Sequence, residues 1–210
     1  IPKRDWSSDV CSSDLHDLLL VSDEIYEAIV YDGHRHISPA SLSKELRSRT
    51  ILVNSLSKTY AMTGWRVGYC AAPASIIDEM FLVLQQSSRG PATFIQDAAA
   101  VALTASQACV AAMREEYSTR RRDVLSRLGN LPRVRVLPPE GGFFAMLDAR
   151  ATGIPSNDLR RRLLHDHGVV VMHGSAYGEG GEGTLRVSFA SGGETLTRGL
   201  DRLREGLASL

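Results

Sequence analysis

Three observations predict an α/β fold that gives way to a smaller α+β portion. Residues 18–21 (Leu-Leu-Leu-Val) and 50–54 (Thr-Ile-Leu-Val-Asn) are apolar runs that stop at polar groups, Asp23 in one case and Asn54-Ser55 in the other. Unbroken apolar runs of strand length belong to strands buried on both faces, as in a parallel sheet. Beyond about residue 112, short strand and helix patterns alternate. In open α/β sheets ligands bind past the carboxyl ends of strands, so Asp23 and Asn54-Ser55 fall where a ligand would sit.

The elements follow in order. The first strand is expected within residues 17–25 and the second within 50–54. A third, residues 67–72, is stopped by Pro73. Residues 75–87 read as a helix with Ser75 as N-cap and Glu79 in its early turns. Gly90-Pro91 breaks the pattern. Residues 93–128 form a long alanine-rich helical stretch, expected to be kinked or broken midway. The division falls inside it, so that residues 16–112 form the first portion and 113–210 the second. Arg120-Arg121-Arg122 on this stretch reads as a solvated face. Residues 134–137 and 143–147 are strands joined by a Pro-Pro-Glu-Gly-Gly turn. A helix over 158–167, strands over 169–172 and 185–189, and a closing helix over 194–207 complete the chain. No internal repeat or low-complexity linker is present.

Residues 1–15 are set apart. From Arg4 to Leu15 they resemble the translation of a common sequencing adapter, so the segment is expected to be non-native. Native sequence is then expected to begin near His16, with the preceding part lost in assembly.

Composition excludes several classes. The 24 Lys+Arg balance the 24 Asp+Glu, so nothing advertises nucleic acid or an anionic membrane as a partner. No apolar run reaches the roughly eighteen residues of a membrane span, and a 43% hydrophobic content suffices for a core. Of the three cysteines, Cys11 lies in the set-apart segment. Cys70 and Cys109 lie in apolar stretches and read as buried, reduced thiols of a cytoplasmic protein.

The chemistry gathers around Lys58, within Asn54-Ser55-Leu56-Ser57-Lys58-Thr59-Tyr60-Ala61-Met62-Thr63-Gly64-Trp65-Arg66-Val67-Gly68. Upstream stands Asp23-Glu24-Ile25-Tyr26. The set offers an amine, phosphate-binding groups, a carboxylate and a phenol, which pyridoxal 5'-phosphate requires. Lys58 would form a Schiff base with the cofactor aldehyde and then move a proton, roles that need a lowered ammonium pKa. Asp23 would keep the pyridinium nitrogen protonated. Tyr26 would donate to the ring oxygen. Ser55, Ser57 and Arg66 would hold the phosphate, with Gly64 and Gly68 allowing unusual backbone angles and close approach. Singly, each residue has an ordinary structural explanation; the case rests on their joint order.

Asp23-x-x-Tyr26, Ser55-x-Ser57-Lys58 and Thr63-Gly64-Trp65-Arg66-x-Gly68 together resemble the class I/II aminotransferases of pyridoxal-phosphate fold type I, aspartate aminotransferase-like branch. The likeness covers essentially all of residues 16–210. It extends through Pro139-Glu140-Gly141-Gly142-Phe143-Phe144, His173-Gly174-Ser175-Ala176-Tyr177-Gly178 and Leu185-Arg186-Val187-Ser188. The chain departs from the family at His173, where proline is usual, and at Tyr177, where phenylalanine is frequent. The resemblance implies the C-terminal part of the fold: an incomplete, mostly parallel sheet with helices, then a small α+β domain. It implies amino-group transfer between an L-amino acid and a 2-oxo acid, a cytoplasmic homodimer at full length, and Arg186 as the clamp for the substrate α-carboxylate. The family's glycine-containing phosphate loop, ring-stacking aromatic and ring-oxygen asparagine find no match here. The 210-residue chain is therefore expected to be inactive by itself. Arg89 is either a solvated loop arginine or a ligand for a distal substrate carboxylate, which would favour aspartate or glutamate.

Two other functions share these residues: a transcription regulator with an aminotransferase-like sensing domain, and a fold type I carbon–sulfur lyase. No metal site is expected, because His34, His36, His165 and His167 have no Cys or carboxylate partner at ligand spacing. No Gly-x-Ser-x-Gly elbow of a serine hydrolase occurs.

Overall fold

Residues 17–210 are described by the computed structural model; the segment read as adapter-derived lies outside them. The chain forms two units. The first holds residues up to Ala28 together with Arg35–Val110, and the second holds Ile29–His34 and Ala111–Leu210. The architecture is α/β in the first unit and α+β in the second.

The first unit carries a three-stranded sheet in the order β1 (Leu20–Asp23), β2 (Thr50–Ser55), β3 (Gly68–Ala71). β1 and β2 run parallel, with Leu20 opposite Thr50 and Asp23 opposite Val53. β3 returns antiparallel to β2, with Ser55 opposite Gly68. Helix α1 (Lys44–Arg49) precedes β2 and is capped by Ser43, whose hydroxyl accepts from the Leu46 N–H. A single turn, α2 (Leu56–Thr59), follows β2 directly. α3 (Ala74–Ser87) and α4 (Thr93–Thr104) complete the unit.

A small core of Leu56, Val67 and Ala99, with Tyr60, Met62, Ile95 and Ala102 against it, packs α4 onto the α2 turn. Alanine at 99 and 102 keeps that face of α4 small, so the turn can lie close. Fully burying Leu56 contributes about 1.5–3 kcal/mol, and Leu56 is two residues from Lys58.

The second unit is built on an antiparallel sheet in the order β4 (Arg135–Leu137), β5 (Phe144–Asp148), β7 (Thr184–Ser188), β6 (Met172–His173). Helices α5 (Ala108–Leu128), α6 (Ser156–His167) and α7 (Gly193–Ala208) cover it, α5 entering from the first unit through its opening residues. On α7 the buried Leu196, Leu200, Leu203 and Leu207 recur at spacings of four, three and four, the stripe of an amphipathic helix. Gly206 lets α7 approach α6, since a Cβ there would meet Leu163 Cδ2 at 2.7 Å. The segment Ile29–His34 belongs to this unit through tertiary contacts. Val30 bridges Gly141, and the Tyr31 hydroxyl donates to the Gly142 carbonyl at 2.5 Å.

Several expectations are corrected. β1 begins only at Leu20, and Val21 is 64% exposed, because no described element covers that face of the strand. α3 starts at Ala74, with Pro73 at the N-cap and no side-chain cap, so Ser75 does not cap it. Of residues 169–172 only Met172 is strand. Val169 and Val171 are buried as an extended lead-in, while Val170 is exposed.

Cys70 and Cys109 are both exposed. Cys70 lies on β3, which is exposed along its whole length, and Cys109 lies in the opening turn of α5. The arginine triplet is not a solvated face throughout: Arg122 is exposed, but Arg121 is not. Arg121 is 7% exposed and grips Asp32 through two bonds of 2.6 and 3.2 Å. It also donates to the Pro139 carbonyl at 2.7 Å and stacks over the Tyr31 ring.

Candidate active site

β1 and β2, being parallel, deliver their carboxyl ends to one edge of the sheet. Asp23 closes β1 there, and Ser55 closes β2. The Glu24 N–H donates to the Val53 carbonyl at 2.9 Å, which keeps the turn carrying Asp23 and Tyr26 beside β2. Asp23 is exposed and accepts from the Ile25 N–H at 3.3 Å. Tyr26 is half-buried in the turn that follows, and Lys58 is half-buried on α2.

The phosphate-binding candidates meet through the return of the chain. The Val67 carbonyl accepts from the Ser55 hydroxyl at 3.2 Å and from the Leu56 N–H at 3.3 Å. This brings Arg66 back to the start of α2. Ser55 Oγ also accepts from the Ser57 N–H at 3.1 Å, capping α2. Its single proton is thus directed at Val67, so donating to a phosphate oxygen requires that hydroxyl to rotate. Arg66 is exposed, and one guanidinium nitrogen donates to the Thr63 carbonyl at 3.0 Å.

The unusual backbone angles fall elsewhere than expected. Ala61 and Arg66 take the left-handed conformation, at φ 54° and 53°, while Gly64 has an ordinary φ and open space around it. Gly68 is needed for close approach, since a Cβ there would lie 2.6 Å from the Asn54 carbonyl oxygen. Among the described residues Thr59 Oγ1, one position from Lys58, is a buried side-chain atom without a hydrogen-bond partner.

Sequence reasoning missed the polar network beneath this edge. Glu24 is buried and its carboxylate meets Ser38 at 2.7 Å and His36 at 2.8 Å. The expectation that His36 lacks a carboxylate partner is thereby corrected, for the pairing joins residues twelve apart across a loop. Tyr69 and Tyr60 near this edge both have raised phenol pKa values, chiefly through burial and then through nearby ionisable groups, Glu27 acting on both.

Arg186 lies in the second unit, on β7 between Met146 of β5 and Met172 of β6. Its guanidinium lies over the Phe144 ring at 4.1 Å and the Tyr177 ring at 4.8 Å. Among the described residues no acid or carbonyl pairs with it. Stacking holds a guanidinium by its faces and leaves its in-plane N–H groups available to a planar anion. The sequence showed these aromatics only as parts of a strand and a turn, with nothing to pair them with Arg186. Arg89 stands at the end of α3 with φ 57°. Its N–H donates to the Leu84 carbonyl at 2.9 Å, so its backbone closes the helix while its side chain is exposed.

An amine, two serine hydroxyls and a guanidinium are brought to one sheet edge with a carboxylate and a phenol, a donor set that would suit an aldehyde-bearing phosphate cofactor. The chain belongs to the aminotransferases of class I and II, whose family model matches residues 3–203. Members of that family use pyridoxal phosphate, and the donor set here fits it. Ser57, Lys58 and Arg66 suit the phosphate and aldehyde, and Asp23 and Tyr26 suit the ring nitrogen and ring oxygen.

The chain is 40% identical to arginine–pyruvate transaminase AruH of Pseudomonas aeruginosa over 205 residues, 97% of this chain and 51% of that protein. It is 42% identical to an aspartate aminotransferase of Pyrococcus abyssi over 196 residues, 91% of this chain and 49% of that one. The crystal structure of an aromatic aminotransferase from Pyrococcus horikoshii OT3 superposes with a TM-score of 0.92 at 39% identity, covering 100% of this chain and 56% of the other. The chain thus spans about half the length of the relatives it matches. Among the described residues no single helix is long and apolar enough to cross a membrane.

Proposed function

We propose that the full-length protein is a pyridoxal-phosphate-dependent aminotransferase that moves an amino group between an L-amino acid and a 2-oxo acid. The carrying observation is the shared sheet edge: Asp23 and Ser55 end adjacent parallel strands, and Lys58 lies on the turn that leaves the second. When bound, pyridoxal phosphate supplies the aldehyde carbon and the electron-accepting ring on which amino transfer depends.

The residues have distinct tasks. Lys58 Nζ would take the proton from the substrate Cα and deliver it to the cofactor's aldehyde carbon. Its amine must be neutral to do so. The Asp23 carboxylate holds a proton on the ring nitrogen. The Tyr26 hydroxyl donates to the ring oxygen. Ser57, Arg66 and, after rotation, Ser55 hold the phosphate dianion. We take the first unit as the cofactor-holding part and the second as the part that binds the substrate α-carboxylate through Arg186. Arg89 is the candidate for a distal carboxylate, which would suit a dicarboxylic substrate. A cytoplasmic homodimer accompanies this reading by family resemblance.

The test is the full-length protein with pyridoxal phosphate. It should develop an absorbance band that borohydride abolishes, and peptide mapping of the reduced adduct should find the label on Lys58. Lys58→Ala should lose the band and at least about 10⁴-fold of the turnover, combining the proton-transfer and covalent contributions. A Lys58→Ala protein that keeps the borohydride-sensitive band overturns the assignment. Elimination of sulfide without amino transfer would instead point to a lyase.

A further inference from the structure

Asp23 and Tyr26 share their turn with two more acids, Glu24 and Glu27, at the same spacing of three. Both are turned to protein partners. Glu24 is 2% exposed. One carboxylate oxygen accepts from Ser38 Oγ at 2.7 Å, and the other lies 2.8 Å from His36 Nε2. Burial by itself would raise the pKa of this carboxyl, but the hydrogen bonds from Ser38, His36 and Ser22 outweigh it and hold the group below the ordinary carboxylate range. It is a buried anion with its lone pairs met, a rigid anchor rather than a loose charge.

Glu27 stands beside this pair, since its carboxylate, that of Glu24 and the His36 ring offer atoms within 4.8 Å of one another. Its Oε1 accepts from Asn54 Nδ2 at 2.6 Å. Asn54 is buried, and its Oδ1 accepts from the Ser55 N–H at 2.7 Å. Because an amide oxygen takes the Ser55 N–H, the NH₂ end must face Glu27, which fixes the orientation of the side chain. Two hydrogen bonds in series therefore join the residue after Tyr26 to the residue that caps the Lys58 turn.

We propose that Glu24 and Glu27 are positioning residues, which fix the turn bearing Asp23 and Tyr26 against the strand end bearing Ser55 and Lys58. The inference rests on the aminotransferase reading above and deepens it. Catalytic groups on different chain segments must keep a common geometry to within a fraction of an ångström. Glu27–Asn54–Ser55 is a side-chain route between those segments that adds to the bond from the Glu24 N–H to the Val53 carbonyl, and Glu24 with His36 and Ser38 braces the same turn. Neither glutamate is assigned a contact with cofactor or substrate.

The experiment uses the full-length protein with pyridoxal phosphate and compares Glu27→Ala, Glu27→Gln and Glu24→Gln. Glu27→Ala should lower kcat about 100-fold, the scale of a misplacement near 1 Å, with KM changed less than about threefold. It should also weaken cofactor affinity about tenfold, a typical second-layer effect, and move the pH at which the bound-cofactor absorbance band titrates. Glu27→Gln keeps an acceptor for Asn54 and should restore kcat to within about threefold of the unmodified protein, which a merely bulky or destabilising role would not predict. Glu24→Gln keeps one acceptor but loses the charge opposite His36, and should give an intermediate band shift.

A Glu27→Ala protein with unmodified affinity and band titration overturns the inference, even if it melts earlier. If Glu27→Ala does not fold, Glu27→Lys in its place must reproduce the band shift, and a folded Lys variant without one also overturns it. An unmodified protein with no borohydride-sensitive band fails the parent reading and takes this inference with it. A normal band that the variants leave unmoved sinks the inference alone.

Discussion

Arg186→Lys keeps the positive charge of the proposed carboxylate clamp and removes its shape. The guanidinium is held by two rings, Phe144 at 4.1 Å and Tyr177 at 4.8 Å, with no acid or carbonyl bonded to its edge among the described residues. A carboxylate can therefore meet two parallel N–H groups. A lysine ammonium, with no plane for the rings to hold, directs one hydrogen bond. Losing one charge-assisted hydrogen bond costs about 1.5–3 kcal/mol, and weakening the ring contacts adds about 0.5–1 kcal/mol. The sum, about 2–4 kcal/mol, is about 30- to 700-fold in kcat/KM at 1.4 kcal/mol per tenfold. Steady-state kcat/KM of the full-length protein is the assay, with the bound-cofactor absorbance band as a control that should not change. Tyr177→Phe retains the ring and should be near neutral, whereas Tyr177→Ala removes one face and should lose about two- to fivefold. A fall of less than about threefold for Arg186→Lys refutes the stacked-clamp argument.

Two further outcomes follow from the Ile29–His34 segment. Arg121→Ala removes three hydrogen bonds. Asp32, with 58% of its side chain exposed, rehydrates, while the Pro139 carbonyl loses its donor, so the loss should be about 2–3 kcal/mol. The urea midpoint of the full-length protein measures it, and a change under about 0.5 kcal/mol would restore the solvated-face reading. Tyr31 has its phenol pushed up to about 12, first by burial, with Arg121 opposing and Tyr117 adding. Its folded pKa exceeds the unfolded value, so the stability it contributes is present below about pH 10 and lost as pH rises from about 10 through 12. Tyr31→Phe should therefore flatten the fall in Tm over that window, and at about pH 8 it should cost about 1 kcal/mol because Gly142 loses a donor. An unchanged alkaline fall in Tm would show that other groups account for it.

Much of this was readable from the chain because the controlling forces are local. The four leucines of α7 write their helix at the helical period, and Gly90-Pro91 separates α3 from α4 by backbone chemistry alone. The Lys58 turn was legible because amine, hydroxyls and guanidinium crowd into twelve residues, from Ser55 to Arg66. Asp23 and Tyr26 could be singled out as candidates because polar groups at the end of an apolar run stand out in the sequence.

Long-range pairing was not legible. β3 offers a strand pattern, but its antiparallel direction depends on which edge of β2 it meets after the lysine turn. Arg121 looks like its neighbours Arg120 and Arg122 until the chain brings Asp32 and Tyr31 against it from some ninety residues away. Phe144 and Tyr177 are ordinary turn-and-strand aromatics until β5 and the Gly174–Tyr177 turn flank Arg186. Nothing in the sequence singled out Glu24 or Glu27, yet one is buried against a histidine and the other bonds to Asn54. The sequence by itself determined which chemical groups the protein offers and the local elements that bear them, because those follow from side-chain type and period. Only the tertiary structure decided which of those groups are anchored, stacked or left open to a ligand, because that depends on partners the chain supplies from far away.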